Sequence, residues 1–99
     1  MVIVAGHFEV DPSRRDEFIA GRIAAMEASR AEPGCVVYAM TADPIQPDRV
    51  LLYERWETKE ALLAHLEGMR SAPQPASAVE IRSAEILQYE IARTGPLGS

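Results

Sequence analysis

Residues 35–57 read CVVYAMTADPIQPDRVLLYERWE, and this stretch decides the fold. Two runs dense in β-branched and aromatic residues, Cys35 to Ala42 and Arg49 to Glu57, flank a segment carrying Pro44 and Pro47. That pattern predicts two strands joined as an antiparallel hairpin. Successive side chains of a strand point to opposite faces. Val36, Tyr38 and Met40 therefore oppose Cys35, Val37 and Ala39, and Val50, Leu52 and Trp56 oppose Leu51 and Tyr53. Both faces of the hairpin are apolar.

Upstream, Met1 to Val10 predicts another strand, because its alternate set Val2, Val4, Gly6, Phe8, Val10 is wholly nonpolar. Asp11-Pro12-Ser13 marks a helix start, with Asp11 as N-cap, proline at the first helical position, and Asp16 and Glu17 favourably placed for the macrodipole. Phe18, Ile19, Ile23 and Met26 follow as a helical stripe, and Glu32-Pro33-Gly34 ends it. Downstream, Thr58 caps a second helix reaching about Arg70, with Ala61, Leu62, His65, Leu66 and Met69 on one side. Ser71 to Ser77, with Pro73 and Pro75, reads as a loop, and a fourth strand is expected over about Ala84 to Arg93.

The resulting order βαββαβ is ferredoxin-like, an α+β fold in which two helices cover one face of a four-stranded antiparallel sheet. Residues 1–93 are expected to form one domain and residues 94–99 a flexible C-terminal tail. Two helices leave the second apolar sheet face bare, which predicts a homodimer packed through these faces.

Composition narrows the function. The chain has 99 residues, a size at which one core is the rule. Fifteen acidic residues against ten basic ones give a net charge of −5, with no basic patch for nucleic acid. No apolar run approaches the roughly 20 residues of a membrane span, and no signal peptide is evident, so a cytoplasmic protein is expected. Cys35, the single cysteine, excludes an internal disulfide. His7 and His65 lack paired metal-ligand spacing, and Gly6, Gly21, Gly34 and Gly68 stand singly, without a phosphate or dinucleotide fingerprint.

Glu32-Pro33-Gly34-Cys35 leading to Tyr38, then Glu54-Arg55-Trp56-Glu57 and the step Ala64-His65-Leu66, resemble the antibiotic biosynthesis monooxygenase family over about Val2 to Arg93. The resemblance implies a dimeric α/β barrel of two facing sheets. It also implies an activity drawn from cofactor-free oxygenases of phenols and quinols, haem-degrading enzymes, or isomerases. Haem-degrading members rely on an Asn, Trp and His set, and this chain contains no Asn. The expected function is a cofactor-independent oxygenase of a small aromatic quinol or phenol. The alternatives are an isomerase of a small carbonyl compound and a non-catalytic dimeric ligand-binding or stress-response domain.

His65 lies in the apolar stripe of its helix. It reads either as a hydrogen-bonded core histidine or as the base that takes a proton from a phenol, a role that suits a side chain titrating near neutrality. Trp56 would wall an aromatic ring or simply pack, and Glu54, on the same parity, would either point inward to a substrate oxygen, a histidine or an arginine, or stand at a sheet edge open to solvent. Tyr38 is a further candidate for holding a ring oxygen, and His7 would face either the pocket mouth or the dimer seam.

Overall fold

The computed structural model describes residues 1–72 and 79–99. Four strands, β1 (Val2–Glu9), β2 (Cys35–Ala42), β3 (Arg49–Trp56) and β4 (Ser83–Glu90), form one antiparallel sheet in the order β2-β3-β1-β4. This is the ferredoxin-like arrangement expected. β1, whose alternate positions Val2, Val4, Gly6 and Phe8 are all nonpolar, takes a central place, pairing Val2 with Trp56 on one side and with Glu90 on the other. β4 stops at Glu90, short of Arg93, because β1 is its sole partner and gives out at Val2. The Ile91 amide bonds the Met1 carbonyl, and the pairing ends there. At Gly6 a Cβ would run into the carbonyl oxygen of Glu85 and lie 2.7 Å from the Ile86 Cα. A larger residue there would push β4 away from β1.

The first helical segment is divided where the stripe pattern predicted one continuous helix. Pro12–Arg14 form a 3-10 turn capped by the Asp11 carboxylate, which accepts from the Ser13 amide, and then come α1 (Arg15–Ala20) and α2 (Ile23–Arg30). The break falls at Gly21-Arg22, where the Arg22 amide bonds the Ile19 carbonyl. Glycine in a helix interior costs about 1 kcal/mol relative to alanine, so a break there is cheap. Its consequence is a change of phase. Phe18 and Met26 stay buried, whereas Ile23, expected in the same stripe, is 49% exposed.

The second helix, α3 (Lys59–Ser71), begins as expected, with Thr58 Oγ1 accepting from the Ala61 amide at 3.1 Å. Of the expected loop from Ser71 to Ser77, Ser71 is the last residue of α3, and residues 73–77 lie outside those described. No helix among the described residues is long and apolar enough to cross a membrane.

The helices cover one face of the sheet, above two buried clusters. Val2, Met26, Tyr38, Trp56 and Leu62 form the first, and Val10, Phe18, Val50 and Val79 the second. A β-bulge after Cys35 resets the parity of β2, so that Cys35 packs on the first cluster with Tyr38 and Val36 is exposed. Val36 therefore does not share a face with Tyr38 and Met40. On the other face, Leu51, Tyr53, Leu87 and Tyr89 are exposed.

Candidate functional site

Strand β3 carries Leu52, Glu54 and Trp56 to the helix-covered face, where all three are buried. Helix α3 adds Leu62 and, one turn on, His65. A turn between α2 and β2 completes the setting. Gly34 has φ +83°, and a Cβ on it would lie 2.6 Å from that of Ala61. Its carbonyl accepts from the Glu57 amide at 2.8 Å, tying the turn to the start of the segment leading into α3. In this way Glu32, two residues earlier, comes beside a helix 33 residues away in sequence.

His65 is the centre of the arrangement. Its side chain is 2% exposed, and Nδ1 lies 2.8 Å from Glu32 Oε2. An ionised carboxylate only accepts hydrogen bonds, so this contact assigns the proton to Nδ1 and the lone pair to Nε2. The imidazole packs over Trp56, with centroids 4.7 Å apart, and meets Tyr38 edge-on at 5.5 Å. The Trp56 Nε1–H donates to Glu54 Oε1 at 3.0 Å, and Glu54 stands directly opposite Tyr38 in the sheet register.

Burial raises the Glu54 pKa above the ordinary carboxylate range, against the lowering effects of the Trp56 hydrogen bond and the nearby imidazole. Burial and the Glu54 charge push the Tyr38 hydroxyl up to about 12, although a hydrogen bond with Ser29 opposes them. Tyr38 thus keeps its proton at neutral pH. The Cys35 thiol is also raised by burial, which disfavours a thiolate nucleophile.

A pocket of about 460 Å³ opens beside these groups. Glu54, His65, Tyr38, Arg22 and Gln88 supply its polar lining, within a wall dominated by residues such as Met40, Leu52 and Ile86. Ligand sites for small molecules have this form, an apolar body with few convergent polar groups. Trp56 is 0% exposed and lies under His65, away from the wall. Of the five residues singled out from sequence, Glu54, His65 and Tyr38 line the pocket and Trp56 supports it. His7 is on the opposite sheet face, 2.7 Å from Glu9, in a shallow depression with Glu85, Leu87 and Tyr89.

Sequence reasoning missed two members. Glu32 was visible only as part of a helix-ending turn, and Arg22 only as one more polar position in a helix. Among the described residues no group of three or more His, Cys, Asp or Glu side chains is placed to hold a metal ion.

A family model described as "Antibiotic biosynthesis monooxygenase" matches residues 1–70. The uncharacterized protein sll1783 of Synechocystis sp. is 33% identical over 98 residues, covering 97% of this chain and 67% of that relative. Among solved structures, the heme-degrader MhuD (Rv3592) of Mycobacterium tuberculosis, with two hemes bound in its active site, superposes with a TM-score of 0.71 at 17% identity, covering 96% of this chain and 99% of its own. Rv0793 of the same organism gives 0.70 at 21% identity, covering 94% and 96%. At those identities the two structures show a shared fold.

Proposed function

This chain belongs to the antibiotic biosynthesis monooxygenase family, and we propose that it oxidises a small aromatic quinol or phenol with molecular oxygen, without a bound cofactor. The observation that carries the reading is the Glu32–His65 pair, 2.8 Å apart, whose imidazole lines a largely apolar pocket. A buried imidazole with Nδ1–H held by a carboxylate presents Nε2 as a base, the same division of labour that serves hydrolytic triads.

In the proposed reaction His65 Nε2 removes the phenolic proton, and the electron-rich anion itself reduces oxygen. A carbon–oxygen bond forms to give a hydroperoxide on the ring. His65 returns the phenolic proton to the peroxide and then takes the proton of the ring C–H as the O–O bond breaks, so that one oxygen stays as a carbonyl and the other leaves as hydroxide, which that second proton converts to water. Substrate and oxygen thus balance against quinone and water. Tyr38, protonated at neutral pH, donates a hydrogen bond to a ring oxygen, and Glu54 accepts one from a second hydroxyl. Trp56 acts from behind the pocket, supporting the imidazole and fixing Glu54.

The haem-degrading chemistry of a structural relative is a poorer fit. Trp56 and His65 are present, but the Asn expected beside them is missing from the whole chain. We take the active form to be a homodimer in which the open sheet face, with Leu51, Tyr53, Leu87 and Tyr89 exposed, packs on that of a second copy.

Oxygen uptake over a panel of dihydroxynaphthalenes, hydroxynaphthoates, anthrones and benzoquinols tests the function. Saturable uptake above autoxidation, lost in His65→Ala, is the expected result. Rates equal to autoxidation throughout would remove the oxygenase, and proton exchange into a carbonyl substrate without oxygen would point to an isomerase.

A further inference from the structure

Arg22 lines the pocket with Glu54 and His65, yet no hydrogen bond or ion pair joins its guanidinium to any described residue. The ring contact that seats it is apolar. The guanidinium carbon lies 4.8 Å from the centroid of the Phe18 ring, and Phe18 belongs to the buried cluster of Val10, Val50 and Val79. A position over an aromatic face holds a guanidinium in place without using its N–H donors, which stay available to a ligand. Arg22 therefore enters the pocket on the side of one core cluster, while His65 rests on the Trp56 of the other.

The position follows from the backbone. Arg22 sits at the break between α1 and α2 with φ −101°, and a continuous helix would carry it at a different angle to the sheet. Among the described residues of the wall the one carboxyl group, Glu54, already accepts from Trp56. The positive field of Arg22 also reaches Tyr38, whose hydroxyl it makes easier to ionise against the stronger effect of burial. An unpaired cation in so apolar a wall marks a place for an anion.

We infer that Arg22 is the receptor for a carboxylate on the substrate, so that the pocket takes a hydroxylated aromatic acid, with the carboxylate at Arg22 and the phenolic oxygen at His65. A carboxylate offers two oxygens in the plane of the guanidinium fork, and the pair forms two charge-assisted hydrogen bonds. The aromatic body spans the apolar wall between them, over Met40, Leu52 and Ile86. The inference rests on this pocket being the substrate site, but it concerns binding and stands apart from the oxygen chemistry.

The test compares a hydroxynaphthoate with the matching hydroxynaphthamide, which keeps the ring, the hydroxyl and the shape while removing the charge. Affinities are measured by calorimetry or amide chemical shifts, on the wild type, Arg22→Gln and Arg22→Lys, each checked for a native amide spectrum. The wild type is expected to prefer the acid by about tenfold or more. Arg22→Gln should bring the two ligands to equal affinity, and Arg22→Lys should restore part of the preference. Equal binding of acid and amide to the wild type, a preference that survives in Arg22→Gln, or binding of neither at millimolar concentration would overturn the assignment. An acid bound through Arg22 but never oxidised would leave the carboxylate receptor standing and remove the oxygenase reading instead.

Discussion

Glu32 and His65 show what a single side chain contributes and what sequence can reveal of it. His65 was legible because it interrupts an apolar helical stripe, where an imidazole must find a partner or a task. Its partner was not legible, since Glu32 is 33 positions away and reaches it only through the conformation of the Pro33-Gly34 turn. Replacing His65 by Gln should lower turnover by about a hundredfold or more, the usual contribution of a general base. Glu32→Gln should lower it by between about ten- and a hundredfold, as loss of an orienting partner does. Nitrogen chemical shifts of the ring should show the proton on Nδ1 in the wild type and a mixed population in Glu32→Gln; an unchanged tautomer with unchanged turnover would leave Glu32 without the orienting role. Glu54 yields a separate prediction. Its pKa is raised by burial above the ordinary value of 4.5, so the folded protein holds a proton there that the unfolded chain has already released. The associated stability is present at acid pH and is lost as pH rises from 4.5 through the folded pKa. Urea titrations of the wild type and Glu54→Gln should therefore diverge with rising pH, the wild type losing more stability. Parallel curves would contradict this.

At the scale of elements, the strands were the most legible part, because alternation on a central strand such as β1 leaves few choices of face. The predicted hairpin, the capping of α3 by Thr58 and the overall βαββαβ order all appear in the structure. The break at Gly21-Arg22 was hidden by a stripe regular enough to fit a continuous helix, since glycine lowers helix propensity without forbidding it. The bulge after Cys35 was hidden as well, because a bulge changes register while leaving composition untouched. The turn at Gly34 makes the most demanding local requirement, with positive φ and no room for a Cβ against Ala61. Gly34→Ala should cost at least about 1 kcal/mol from backbone conformation alone, read as a lower urea midpoint. A neutral substitution would mean that the turn does not fix the approach of Glu32 to α3.

For the whole molecule, the fold class followed from element order, whereas the pocket did not. Its wall joins β1, β2, β3, β4, α3 and the α1–α2 break, and such a convergence exists only once the sheet order brings them together. The open sheet face was foreseen from the parity of β2 and β3, and it bears on assembly. Sedimentation should show a dimer at micromolar concentration, and a Leu51→Glu, Tyr53→Glu double variant, altering only exposed positions of that face, should sediment as a folded monomer. A wild type that is monomeric at every concentration would refute the pairing of sheets. Proton removal by His65 is the step on which the proposed chemistry turns. Without oxygen, a hydroxynaphthoate whose anion absorbs at longer wavelength than its neutral form should be mixed with excess protein below the phenol's own pKa. The phenolate band is predicted to appear with the wild type and to be absent with His65→Gln, whereas a ligand that stays neutral in the wild-type pocket would contradict the proposed chemistry.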